Sequence, residues 1–336
     1  MRFDRLRVVL VAMLLAWAVP AMSGALDTVD VPVADRSADA REAALKAGLD
    51  EVLVRLSGTR DVLDEPVAKE AAEQLDRWVT RHDYRDDSLV VHYDVQGLLG
   101  LLASRGVPVW GLPRPRLLVW LVDQGAGKGD MVSAGHPLYA EVEAEAARRG
   151  LSLVFPQWDS QDRNALAVAD IRGRFDDRLE QASTRYPHEM TVAAVLYSGA
   201  PATVSWRILQ GRKTLEQGRL EADDNSAAVA RLADELADTL AGRFAVKGNR
   251  TEQRTLLTVN GVDSLSAWHT LDQNLKGISG MQQAMLIQVS DASLVYALDF
   301  AADDSQLRDL LELSSSLRPC PDPAVPGPQW LYCWQG

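Results

Sequence analysis

The sequence has few of the residues that build reactive sites. It contains two cysteines and five histidines among 336 residues. The histidines form neither HExxH nor a pair four residues apart, and the nucleophile motif GxSxG does not occur. We therefore predict no catalytic residue, no metal ligand and no cofactor-binding residue.

Basic charge is also scarce. The chain has 35 Lys and Arg against 47 Asp and Glu, which gives a formal net charge of -12. An acidic protein is a poor partner for nucleic acid or an anionic bilayer, so we expect neither. The 47% hydrophobic and 24% charged residues are typical of a folded chain, and the length suits two or three domains.

The longest apolar run near the start is too short to span a membrane. Val8 to Val19 is preceded by three arginines, Arg2, Arg5 and Arg7, and followed by Pro20. Ser23 and Ala25 have the small-residue spacing of a cleavage site. This pattern predicts a secretory signal peptide over residues 1–25, with a retained anchor helix as the alternative. Cleavage would leave no stable membrane anchor, and the loss of three Arg and one Asp would change the charge from -12 to -14.

The two cysteines lie close together near the carboxyl end. Cys320 and Cys333 are separated by a short proline-rich loop. In an exported chain this pair predicts a disulfide, and two free thiols are the alternative. Closing a loop of this length stabilises a fold by about 3 kcal/mol in the chain-entropy estimate.

The apolar patterns predict an α/β and α+β fold of three small units. Residues 26–106 form an N-terminal α/β domain in this prediction, and 107–248 a middle mixed-sheet α/β sandwich around the buried strand Arg116 to Asp123. Residues 249–318 have the order β-α-β-β-α of a ferredoxin-like domain. Residues 319–336 are predicted to form a proline-rich tail that the disulfide holds against the last domain.

The tail ends in an aromatic stripe. Trp330, Tyr332 and Trp334 recur at every second residue, so they lie on one face of a short strand, which we expect at a sheet edge. Two interpretations remain open. The stripe either covers the core of the last domain or forms an exposed contact for a partner, because Trp and Tyr are enriched at interaction hot spots.

Two other patterns have ordinary explanations. The segment Gly125 to Gly129 follows a strand as a phosphate loop would, but Gly129 stands where the motif needs Ser or Thr. We expect an exposed loop there. The acidic pairs occur at predicted turns and helix starts, where aspartate caps backbone amides.

Three sequence blocks resemble one family. They are VWGLPRPRLLVWLVD, PATVSWRILQ and the unit LTVNGVDSLSAW, LDQNLKGISGM and SLVYALDF. They are similar to an uncharacterised exported family of Gram-negative bacteria, a domain of unknown function with no assigned activity. The resemblance implies an envelope location. The element order of the middle unit is also similar to small periplasmic α/β domains of the Tol-system propeller protein and curli-secretion lipoproteins, which act in protein contacts.

These patterns favour a non-catalytic, soluble periplasmic scaffold or protein-interaction module of the cell envelope. We expect an envelope protein as its partner, bound along a sheet edge or the aromatic tail. One alternative is an envelope hydrolase with a site assembled from distant loops. A second is a carrier of an apolar ligand.

Overall fold

A computed structural model describes residues 26–125, 127–247, 254–290, 293–301, 303–314, 316–320 and 330–335. The predicted signal peptide lies outside them. The described chain is a mixed α/β structure with three sheets, as the sequence predicts. Over these ranges, no helix combines the length and the hydropathy that a membrane crossing needs.

The N-terminal unit packs helices on a three-stranded antiparallel sheet of order β1-β3-β2. Its elements are β1 (Thr28–Pro32), α1 (Ala38–Ser57), a 3-10 turn (Arg60–Asp64), α2 (Pro66–Glu73), α3 (Leu75–Trp78), β2 (Val79–Arg85), β3 (Ser88–Tyr93) and α4 (Val95–Ser104). Ser37 caps α1, and Gly58 ends it at φ 85°, a conformation that favours glycine. The polar strand β2 lies where the sequence pattern shows no strand.

The middle unit is built on β4, which is buried on both faces. Its elements are β4 (Arg116–Asp123), β5 (Asp130–Met131), α5 (Tyr139–Arg148), β6 (Ser152–Val154), α6 (Ser160–Ala165), α7 (Val168–Gly173), α8 (Asp176–Ser183), β7 (Met190–Tyr197), β8 (Ala202–Gln210), β9 (Lys213–Ala222) and α9 (Asn225–Phe244). The strand order is β5-β4-β7-β8-β9, and β6 also pairs with β4. The β4–β6 and β4–β7 pairs are parallel. Residues of α5 and α9 share one core with this sheet, and residues of α7 and α8 share another with its opposite face.

The C-terminal unit has the predicted order β-α-β-β-α. Its elements are β10 (Arg254–Asn260), α10 (Leu265–Lys276), β11 (Met281–Ser290), β12 (Ser293–Phe300), α11 (Asp304–Leu313), β13 (Leu317–Pro319) and β14 (Leu331–Trp334). The strand order is β11-β12-β10-β14-β13. The prediction of an edge position for the last strand is wrong. β14 is inserted between β10, to which it is parallel, and β13, to which it is antiparallel.

The middle and C-terminal units share a hydrophobic core. Leu240 and Phe244 of α9 belong to the same cluster as Leu310 and Leu311 of α11. The N-terminal unit has its own core around α1 and β3. The predicted domain boundaries stay predictions, and residue 248 lies outside the described ranges.

Candidate functional site

The segment 107–115, which we call the linker, contacts all three units through its backbone. The Trp110 N–H donates to the Leu56 carbonyl at 2.6 Å. Val109 and Val246 exchange two backbone hydrogen bonds, each of 2.9 Å. The Ser279 N–H donates to the Leu112 carbonyl at 2.7 Å. The linker is therefore a junction at which the three units are held together.

Arg114 fastens this junction. Its guanidinium donates to the Gly150 carbonyl at 2.9 Å and to the Arg55 carbonyl at 2.5 Å, and it lies 4.0 Å from the centroid of the Trp110 ring. Burial, followed by the nearby charges of Arg55 and Arg149, lowers the pKa of Arg114 to about 9. Its donors are directed to carbonyl oxygens, so its role here is structural.

The aromatic stripe faces the interior. Trp330 and Tyr332 are 4% and 3% exposed and lie in the shared core, and Trp334 packs against it half-buried. The Arg308 guanidinium of α11 lies 5.0 Å from the centroid of the Trp330 ring. This placement follows from the insertion of β14 into the sheet, and it agrees with the core interpretation. A partner contact at these three residues stays a prediction.

A disulfide joins Cys320 and Cys333, with the Cα atoms 5.1 Å apart. Cys333 lies opposite Arg318 of β13. The Cys320 N–H also donates to the Leu331 carbonyl at 3.2 Å. The bond therefore holds the ends of β13 and β14 in register.

The other predicted interaction element, an exposed sheet edge, is present in β11. This ten-residue strand ends the C-terminal sheet and pairs with β12 along one side. Met285, Ile287 and Val289 are 40%, 51% and 66% exposed. The strand contains neither charge nor proline, the residues that usually protect an edge from further pairing.

The outer face beside β11 continues the apolar surface. Met285 of β11 and Leu256 of β10 both lie opposite Ala297 of β12, so the three side chains form a row across three strands. Leu256 is 49% exposed. A bulge between Leu286 and Gln288 leaves Ile287 without a direct partner on β12.

The second candidate is a polar cluster at the carboxyl ends of β4 and β7. The chain leaves β4 through α5 to reach β6 on one side, then crosses through α6 to α8 to reach β7 on the other. Such a reversal of strand order is where open α/β sheets bind ligands. Asp123 is the last residue of β4 and lies opposite Leu196, so Ser198 follows close by.

Three side chains form this cluster. The Ser198 hydroxyl donates to Asp123 Oδ1, and His136 Nε2 lies 3.8 Å from Asp123 Oδ2. The Leu138 N–H donates to His136 Nδ1 at 3.2 Å, so that ring nitrogen acts as an acceptor.

The order of these contacts is unlike that of a nucleophilic triad. A triad needs histidine to accept the serine proton, whereas here Asp123 lies between Ser198 and His136. The cluster ties the end of β4 to two loops. Sequence reasoning missed it because the three residues share no motif and meet only through strand register.

The remaining predicted features have structural roles. Asp224 and Asp303 cap α9 and α11 through their carboxylates, as expected for the acidic pairs. Gly129 has φ 81°, and Ala126 of the same loop lies outside the described residues. In the part of the chain that the structure covers, no three His, Cys, Asp or Glu side chains are grouped closely enough to hold a metal.

Residues 21–111 match the family model of a domain of unknown function, DUF8605. This confirms the expected likeness to a family without assigned activity for the N-terminal unit and the start of the linker. No curated protein matches the sequence. A crystal structure of lipoprotein GNA1162 from Neisseria meningitidis is similar over 38% of this chain and 96% of that chain, with 14% identity and a TM-score of 0.24. This similarity is too weak to support an inference about the fold or the function of this chain.

Proposed function

We propose that the protein is a non-catalytic, soluble periplasmic interaction module that binds an extended segment of an envelope protein along β11. The observation that carries this proposal is the chemistry of the β11 edge. A free edge presents a row of backbone donors and acceptors, and a strand of another protein is the ligand that matches them. The exposed Met285 and Ile287 favour a segment with apolar side chains.

The location rests on separate observations. The start of the sequence predicts a signal peptide, and the disulfide between Cys320 and Cys333 suits an oxidising compartment. A scaffold also needs units that keep a constant arrangement. The hydrogen bonds of Arg114 and of the linker backbone to the three units support such an arrangement.

The experiment is site-specific photo-crosslinking in the periplasm. A photoreactive residue replaces Ile287 in one variant and Leu265 in a matched control, since Leu265 is also exposed and lies on α10 of the same unit. We expect a discrete crosslinked protein from position 287 and none from 265. Met285→Lys with Val289→Lys, added to the position-287 variant, should reduce its yield by about tenfold or more, because an added strand would meet two charges.

Two results would contradict the proposal. One is a crosslinked protein that both positions capture equally. The other is a yield that the two lysines leave unchanged.

Truncation after Leu317 does not serve as a test of binding, since it removes β14 from the interior of the sheet and with it the buried Trp330 and Tyr332.

Neither alternative has an observation that favours it. A hydrolase needs a base beside its nucleophile, and the contact of Ser198 is with Asp123 and not with His136. Carriage of an apolar ligand stays a prediction.

A further inference from the structure

A further candidate binding site lies on the middle unit, away from β11. A cavity of about 320 Å³ opens between α7 and the face of the sheet formed by β7, β8 and β9. That volume is at the lower end of the range for small-molecule sites. The lining includes three arginines and two hydroxyl groups, namely Arg172, Arg174, Arg207, Tyr197 and Ser205.

The charge of this cavity is opposite to that of the protein. Its described lining contains no acidic side chain, although the whole chain carries a net charge of -12. Arg207 is 6% exposed and is partly neutralised, since Nε and Nη2 both donate to one carboxylate oxygen of Asp176, at 3.1 and 2.7 Å. Arg172 and Arg174 therefore leave an excess of positive charge at the mouth.

The partners of these two arginines hold them in place without cancelling their charge. Arg172 Nη1 donates to the amide oxygen of Gln124 at 2.9 Å, and Arg174 Nη2 donates to the amide oxygen of Gln217. By contrast, Arg178 and Arg185 in the same region pair with the carboxylates of Asp170 and Asp162. The mouth of the cavity thus has oriented guanidinium groups that form no ion pair with a carboxylate among the residues that the structure describes.

The backbone at Arg174 adds a second argument. Arg174 has φ 60° and ψ 42°, the left-handed conformation in which glycine is the usual residue after a helix. An arginine in that conformation costs stability, and such residues concentrate at functional sites. This backbone conformation supports a functional role for the Arg174 side chain.

We infer that this cavity binds a small organic anion whose oxygens accept hydrogen bonds from the guanidinium groups of Arg172 and Arg174. Guanidinium binds carboxylate and phosphate oxygens in the same planar, two-bond manner. Ile171 and Val195 supply an apolar wall, and Tyr197, 44% exposed, stands at the end of β7 beside the mouth. The ligand thus has an anionic end and a short apolar body.

Calorimetric titration of the purified protein at constant ionic strength tests this inference, with inorganic phosphate, glycerol 3-phosphate and succinate as probes. We expect saturable binding of at least one probe. Arg172→Gln with Arg174→Gln should weaken it by about tenfold or more, since two charge-assisted contacts are lost. The control is Arg212→Gln, an exposed arginine that pairs with Asp177 of α8 and lies outside the cavity lining.

The probes identify the anion. Binding of glycerol 3-phosphate without succinate would assign a phosphate ester, and the reverse would assign a carboxylate. Arg174→Gly separates binding from folding, because glycine suits the backbone at that position. We expect it to weaken binding without lowering Tm. The inference is overturned by the absence of saturable binding for all three probes, or by an affinity that the double variant leaves unchanged.

Discussion

The strands β9 and β11 are alike in length and position but opposite in chemistry. Each has ten residues, ends its sheet and pairs antiparallel with a single neighbour. β9 carries four charged residues, Lys213, Glu216, Arg219 and Glu221, whereas β11 carries none. Charge on an edge prevents the addition of another strand. The molecule thus protects one long edge and leaves the other open, which is why we place partner binding at β11.

The middle sheet is also better covered than the C-terminal sheet on its faces. Helices cover the middle sheet on both sides, so Leu118 of β4 is completely buried. Helices α10 and α11 pack on one face of the C-terminal sheet, and on its other face Leu256 of β10 is 49% exposed. Leu118 therefore stabilises the core of the middle sheet, whereas the Leu256 side chain remains accessible on the surface of the C-terminal sheet.

The largest expected difference comes from deleting a leucine in each sheet. Leu118→Ala should lower the free energy of unfolding by about 2–5 kcal/mol, since it opens a cavity in a closed core. Leu256→Ala should cost less than about 1 kcal/mol, because its side chain already meets water. Urea unfolding measures both. Equal losses would show that the outer face of the C-terminal sheet is packed like a core.

Removing the disulfide should weaken the C-terminal sheet selectively. Cys320→Ser with Cys333→Ser should cost about 3 kcal/mol, since the bond closes a loop with a sequence separation of 13. Hydrogen exchange then distinguishes the sheets. We expect protection to fall in β13 and β14 and to persist in β8. A uniform fall in protection would contradict this local role.

Giving β9 the chemistry of β11 should make it associate. Arg219→Val with Glu221→Val removes one charge of each sign, so the net charge of -12 is kept. We expect the self-association constant to rise by about tenfold, or about 1.4 kcal/mol, by light scattering. The matched variant Ile287→Lys on β11 should show no such rise. Unchanged association in the β9 variant would mean that charge is not what protects this edge.

The smallest expected effect concerns alkaline pH and the interior of the C-terminal sheet. Burial, followed by the charge of Glu312, raises the pKa of the Tyr332 hydroxyl to about 12 from an ordinary value of 10.0. The folded protein then holds this proton more tightly than the unfolded chain. The stability that it contributes is therefore complete below pH about 10 and is lost as the pH rises through about 12.

Urea midpoints measured across that range should fall with pH, and Tyr332→Phe should reduce the fall. If the variant and the parent lose stability in parallel, the hydroxyl of Tyr332 does not titrate in the buried site that the structure shows.

How far the sequence predicts this structure depends on how local each signal is. Ser37 and Gly58 mark both ends of α1, and the apolar run at β4 identifies a buried strand, because capping and burial are properties of short segments. β2 was missed, since a polar edge strand lacks an apolar face. The insertion of β14 was also missed, because sequence spacing does not say which strand will be its neighbour.

The candidate sites, too, can be predicted from the sequence only where their signal is local. The uncharged β11 can be identified from its sequence, but only the strand order shows that it is an edge. Arg172 and Arg174 lie in a polar helical segment that looks like solvated surface, and their partners Gln124 and Gln217 are far away in sequence. Side chains that meet through tertiary structure leave no periodic signal.

One contact of the linker forms only late in synthesis of the chain, because its two partners are far apart in sequence. The Gly111 N–H donates to Ser279 Oγ at 3.1 Å across a separation of 168 residues. At 5–20 residues per second, a ribosome needs roughly 8–34 s to make that stretch. The N-terminal unit thus has all of its own core residues while its place of attachment is still being synthesised.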